Sequence, residues 1–288
     1  MHQKCNFHTH TRLCKHGEGE VEDFCAEAVR QGMALLGMTD HTPYPDDAHW
    51  PTVRMSYSEL PKYLQDVERC QRSYAGRLKV LKGLEVENPP EMMGYIKDTL
   101  LGECKLDFII CAMHSFYVDG ECHDSWKITD DAALCGFADH TIRAMNSGLY
   151  AYLAHPDVFG YSYRGWSKTT DDCCRAICQA AVDIGMPLEI NTYGMRKPMV
   201  LDGDAMRWKY PLARFWEIAA EEGVAALVNT DAHKPKDVWS NGEEGCEWAA
   251  KFGLRIVNEE FATLFGADAV YPVVPGERMK KVCYAERS

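Results

Sequence analysis

The sequence predicts an α/β fold built on a parallel sheet, and three observations predict it. Short apolar, strand-like runs alternate along the chain with segments whose apolar residues recur at helical spacing. Most of these runs lead directly into His, Asp or Glu. The composition, 46% hydrophobic and 26% charged over 288 residues, is that of a globular domain, and an α/β barrel commonly takes up this length as one unit.

In chain order, Lys4–Phe7 leads into His8 and His10, and a helical pattern follows over Val21–Gln31. Ala34–Met38 leads into Asp40 and His41, ahead of a helix over Tyr57–Ser73. Leu78–Leu84 ends at Glu85, and Leu106–Ala112 runs to His114 and then a helix over Asp130–Asn146. Leu149–Ala154 delivers His155 before a helix over Thr170–Ile184. Pro187–Ile190 precedes a helix over Pro211–Glu222, and Val224–Val228 leads into Asp231 and His233. Strands alternating with helices imply right-handed crossovers, and these seven runs are enough to close a barrel. Residues 1–288 read as a single domain, with 267–288 as a C-terminal closing strand or surface segment. In parallel α/β folds the C-terminal strand ends share one edge, where sites are built.

A formal net charge of −12 disfavours nucleic-acid backbones and anionic membranes as partners. A small anionic substrate remains compatible if bound cations reverse the local sign. Thirteen cysteines are scattered without C-x-x-C spacing. The start lacks the apolar core of a signal peptide, and no apolar run reaches membrane-spanning length. The expectation is a cytoplasmic protein with reduced core thiols.

Period-two alternation puts His8 and His10 on one side of an extended segment, and Asp231 and His233 repeat that geometry. His16, His41, His114 and His155 add nitrogen donors, and Glu85 adds a second carboxylate. One histidine at a strand end has an ordinary structural explanation, but seven of the eleven fall in these clusters. Imidazole mixed with carboxylate suits zinc, manganese or iron, and the lack of thiolates argues against a closed structural zinc site.

These segments resemble the polymerase-and-histidinol-phosphatase (PHP) family of metallophosphoesterases, most closely its histidinol-phosphatase branch. The likeness rests on Phe7-His8-Thr9-His10-Thr11, Cys14-Lys15-His16-Gly17, Thr39-Asp40-His41-Thr42-Pro43, Gly83-Leu84-Glu85-Val86-Glu87, His114-Ser115, Ala154-His155-Pro156-Asp157, Leu188-Glu189-Ile190-Asn191-Thr192 and Asp231-Ala232-His233-Lys234-Pro235. Met113 and Asn229-Thr230 depart from the small residues more usual before the ligands that follow them, and Cys5-Asn6-Phe7 departs from the usual lead.

The resemblance implies a distorted (β/α)7 TIM-like barrel and two or three divalent ions (Zn, Mn or Fe). It implies His8, His10, Glu85 and Asp231 around one ion, with Glu85 bridging to a second held by His114 and His155. His16, His41 and His233 would take the third. The implied reaction is hydrolysis of a small phosphate monoester such as L-histidinol phosphate, in which cations lower the pKa of water to roughly 7. A bound water, Asp231 or His233 would protonate the leaving oxygen. Arg164 and Arg196 resemble phosphate-contacting arginines of that branch, whose planar fork suits two oxygens. Glu87, Asp157, Phe116, Tyr117 and Trp166 lie near the same edge as candidates for an imidazole tail. The rival readings are a PHP phosphodiesterase on another metabolite or nucleotide, an amidohydrolase, and a metal-binding regulatory barrel. Oligomeric state is not readable from the sequence.

Overall fold

Four short parallel strands form one sheet in chain order: β1 (Cys5–Asn6), β2 (Leu35–Met38), β3 (Lys79–Val86) and β4 (Phe108–Cys111). The computed structural model describes residues 3–47 and 49–284. A hairpin of β5 (Ser115–Val118) and β6 (Glu121–Asp124) follows β4. The expected run Leu149–Ala154 is too irregular for a strand, yet Leu153 bridges Cys111 on one side and Leu188 on the other. It thereby joins β4 to β7 (Leu188–Asn191). A second hairpin, β8 (Val200–Asp202) with β9 (Ala205–Arg207), precedes β10 (Ala225–Asn229) and β11 (Arg255–Ile256), which pairs with β10.

A parallel bridge between Thr9 and Ala232 returns the sheet to its first strand, so the curled sheet closes at its C-terminal rim. Four residues before this bridge the Asn258 side chain spans the gap between β1 and β10. Its amide donates to the carbonyls of Cys5 (2.9 Å) and Val228 (2.8 Å) and accepts from Val228 N–H (2.9 Å). The distortion of the barrel is therefore local and hydrogen-bonded.

Strand residues alternate between two cores, as a period of two requires. Leu35, Leu81, Phe108, Ile110 and Leu227 point inward with Phe7. Leu36, Val80, Ile109 and Ile190 point outward against the helices. Gly37 is dictated by this packing, since a Cβ there would lie 2.9 Å from the Cα of Phe7. The outer helices are α1 (Val21–Arg30), α2 (Leu60–Ser73), α3 (Asp131–Asn146), α4 (Lys168–Ile184), α5 (Ala213–Glu221) and α6 (Gly242–Ala250). Side-chain oxygens of Asp130 and Ser167 cap α3 and α4 by accepting from Ala133 and Thr170 N–H.

The chain end differs from expectation. Within 267–284 there is no strand; α8 (Glu277–Tyr284) follows α7 (Asn258–Thr263), and residues 285–288 lie outside the described residues. Phe261, Phe265, Met279 and Cys283 from this region join the inward-facing core and seal it from below. All thirteen cysteines carry free thiols, and no helix among the described residues is long and apolar enough to cross a membrane.

Candidate metal centre

Seven imidazoles and two carboxylates converge at the rim that the Thr9–Ala232 bridge closes. Glu85, at the inner face of β3, is their centre and is almost wholly buried. Its Oε1 lies 3.3 Å from His8 Nε2, 3.0 Å from His155 Nε2 and 3.5 Å from His114 Nε2. Its Oε2 lies 3.3 Å from His10 Nε2 and 2.8 Å from His41 Nδ1. Asp231 Oδ1 lies 3.2 Å from His10 Nε2 and 3.7 Å from His8 Nε2. On the outer side His16 Nε2 and His233 Nε2 are 2.9 Å apart. The nine residues singled out from the sequence are thus all brought together.

The donors form overlapping groups. His8, His10 and Glu85 are within 4.8 Å of one another, as are His41, Glu85 and His114, and His16, His41 and His233. A cation binding N and O at about 2.1 Å spaces tetrahedral donors roughly 3.4 Å apart, which matches these separations. Their direction agrees too. His41 Nδ1, Glu85 Oε2 and Asp231 Oδ1 are buried, yet none makes a well-directed hydrogen bond despite close neighbours. Lone pairs that converge without pointing at each other are those a shared cation satisfies.

The opposite ring nitrogens explain why the Nε2 atoms are available. Nδ1 of His8 donates to Glu189 (2.8 Å), that of His114 to Glu87 (3.0 Å), that of His16 to the Cys14 carbonyl (2.7 Å), and that of His233 to the Asp231 carbonyl (3.0 Å). In the neutral ring each bond fixes the tautomer that leaves Nε2 as a lone pair. Backbone strain concentrates in the same place. His155 (φ +29°) and Asp231 (φ +45°) adopt left-handed conformations that cost about 1–3 kcal/mol each and persist only where the surroundings impose them.

Electrostatics divides the imidazoles. Burial opposes ionisation of Glu85 and Asp231, but the encircling histidines hold both carboxyls well below their usual range. Burial lowers His10 to about 3, His41 to about 4 and His233 to about 3, so these rings are neutral. His8 and His114 go the other way. Burial is outweighed by Glu189, Asp231 and Glu85 around His8, and by Glu85 and Glu87 around His114.

The two arginines are engaged elsewhere. Arg164 is exposed and donates to the carbonyls of Gly160, Tyr161 and Tyr163, which braces its own loop. Arg196 donates to the carbonyls of Thr230 (2.7 Å) and Ser240 (3.0 Å), which anchors the loop bearing Asp231. The imidazole-tail candidates also have partners within the chain. Glu87 is buried, bridged to Arg54 (2.8 Å), and accepts from Tyr44 and His114. Asp157 is buried and accepts from Leu212 N–H and Trp216 Nε1–H. Phe116 is core, Trp166 donates to Asp171 away from the imidazoles, and Tyr117 lies against His140.

Sequence reasoning gave no role to Glu189, which contacts His8, the backbone N–H of His155, Asn191 and Asn229. The signal was present: a carboxylate inside a strand that is otherwise apolar and buried needs dedicated partners.

Comparison with known proteins agrees with this architecture. A PHP domain model matches residues 6–193. A protein named "Probable histidinol-phosphatase" from Deinococcus radiodurans is 30% identical over 252 residues, covering 81% of this chain and 88% of its own. The histidinol-phosphatase of Bacillus subtilis is 23% identical over 267 residues, 82% of this chain and 96% of its own. The fold is similar to that of histidinol phosphate phosphatase from Lactococcus lactis, solved with Zn, L-histidinol and phosphate. The TM-score is 0.64 at 18% identity, over 88% of this chain and 95% of that one.

Proposed function

Because this chain belongs to the PHP domain family, we propose that it is a metal-dependent phosphate monoester hydrolase acting on L-histidinol phosphate, which it converts with water to L-histidinol and phosphate. The observation that carries this reading is the convergence of nine donors on Glu85 and Asp231, in a chain whose relatives bear that activity in their names. His8, His10, Glu85 and Asp231 hold the first cation. Glu85, His114 and His155 hold the second, and His16, His41 and His233 the third. Zinc, manganese and iron all suit this donor set. When bound, such cations supply Lewis acidity and a water of lowered pKa.

The chain's own residues do the rest. Asp231, ionised, and His233, neutral, lie together at the mouth, and we assign proton handling at the leaving oxygen to them. Glu189 and Glu87 orient His8 and His114. Arg196 keeps Asp231 in its strained backbone conformation, and Arg164 shapes the Tyr161 loop. Residues 1–288 act as one domain, supported by an inward core shared from Cys5 to Cys283. Thirteen free thiols suit a reducing cytoplasm, and the step belongs to histidine biosynthesis.

The test is turnover by zinc- or manganese-loaded protein of histidinol phosphate beside sugar and nucleotide monophosphates. It also compares p-nitrophenyl phosphate with its bis-ester. Histidinol phosphate should exceed the other monoesters in kcat/KM by about a hundredfold. Preference for the bis-ester would show a phosphodiesterase instead.

A further inference from the structure

Arg196, bonded to backbone carbonyls, stands 5.0 Å over the ring of Tyr193, and two lysines join it beside the centre. Lys197 Nζ lies 3.8 Å over the ring of Tyr193, which stacks on His233 at 4.9 Å and 19°. Lys209 Nζ lies 3.6 Å over the ring of Tyr161. Tyr161 meets Trp126 edge-on at 5.1 Å, and Trp126 stacks on His114 at 5.9 Å and 15°. The two ammonium groups therefore stand on aromatic platforms, one stacked on His233 and the other joined through Trp126 to His114. Lys197 feels both Lys209 and Asp231.

Charge bookkeeping singles them out. The chain carries a net charge of −12, and its buried cations are paired: Arg54 with Glu87, and Lys82 with Glu68. Among the described residues neither Lys197 nor Lys209 has a carboxylate partner, although both are half-buried. Burial lowers the Lys197 pKa, and a hydrogen bond from Lys209 lowers that of the Tyr161 phenol. Two like charges held on aromatic faces without a counter-ion repel each other, and a dianion placed between them removes that repulsion.

We propose that Lys197 and Lys209, seated on Tyr193 and Tyr161, form a two-sided clamp that recognises the phosphoryl group of the substrate. The clamp deepens the phosphatase reading and rests on it. Lysine binds phosphate as a point charge, so the clamp senses charge more than planar geometry.

The experiment compares wild type with Lys197→Met, Lys209→Met, the double variant and the two Lys→Arg variants, all zinc-loaded. Inorganic phosphate binding is read by calorimetry, p-nitrophenyl phosphate turnover by KM and kcat separately, and zinc content by mass spectrometry. Each Met variant should weaken phosphate binding about tenfold and raise KM in parallel, with kcat and zinc content near wild type. The Arg variants, which keep the charge, should restore binding to within about threefold. Phosphate affinity unchanged in the double variant, or no phosphate binding by wild type, overturns the clamp. Phosphate binding that responds to the lysines while no monoester is turned over leaves the clamp standing and sinks the phosphatase reading instead.

Discussion

At the residue scale, what distinguishes the centre is the division of its imidazoles into those already neutral and those carrying a proton. His10, His41 and His233 have been driven to about 3 to 4 by burial and have nothing to release near neutrality. His8 and His114 have pKa values raised above 6.5 against burial, by the carboxylates around them. A metal ligand must be deprotonated, so wherever His8 and His114 hold their extra protons, cation binding displaces them. The sign follows: affinity rises with pH through the range where these two titrate and falls on acidification. Zinc titrated into the metal-free protein in buffers of different ionisation enthalpy should give heats that scale with the buffer. Glu189→Gln, which removes a charge raising His8, should reduce the protons released. Heats independent of the buffer would contradict this division.

Elements position these residues through short hydrogen-bonded links rather than long regular strands. β1 is only two residues long, and the His155 segment makes single bridges on each side. Asn258 therefore carries unusual weight, because one amide joins β1 to β10. Asn258→Ala should lower stability by about 2–4 kcal/mol, since three buried backbone groups lose their partner. Phosphatase activity at low temperature should survive, because Asn258 bonds to none of the nine donors; a denaturant midpoint equal to wild type would show the link to be idle. The same shortness explains what the sequence disclosed. The apolar runs that carry His8, His41, Glu85 and Asp231 were legible because parallel strands buried on both faces must be apolar. The short β5, the more exposed β6 and β8–β9, and the two-residue β11 left no such pattern. From the sequence the sealing helix α8 reads as a strand or surface segment, since Met279 and Cys283 give it only a thin apolar stripe. Among site residues, His8, His10, His41, Glu85, His114, His155 and Asp231 announce themselves at the ends of apolar runs. Lys197 and Lys209 did not, because a loop lysine looks the same whether it faces solvent or an imidazole cluster.

For the whole molecule, the centre is also a question of stability. Metal-free, the rim holds buried atoms of His10, His41, Glu85, His155 and Asp231 without hydrogen-bond partners, together with two residues in strained backbone conformations. Unpartnered buried polar atoms cost about 1–3 kcal/mol each. The inner core from Cys5 to Cys283 offsets this, so the protein should fold without metal, but as a less stable molecule. Binding to the native state alone stabilises by RT ln(1 + [L]/Kd), about 4 kcal/mol at a thousandfold excess over Kd. At about 2–4 °C per kcal/mol for a chain of this size, chelation should lower Tm by roughly 10 °C. Restoring zinc should recover it, with a Tm that climbs as the logarithm of free zinc. The same series in Glu85→Gln, which lacks the charge shared between the two inner groups, should show a much smaller rise. If chelation leaves Tm where it was while zinc content falls to zero, the nine side chains gain nothing from a cation, and their convergence has some other cause.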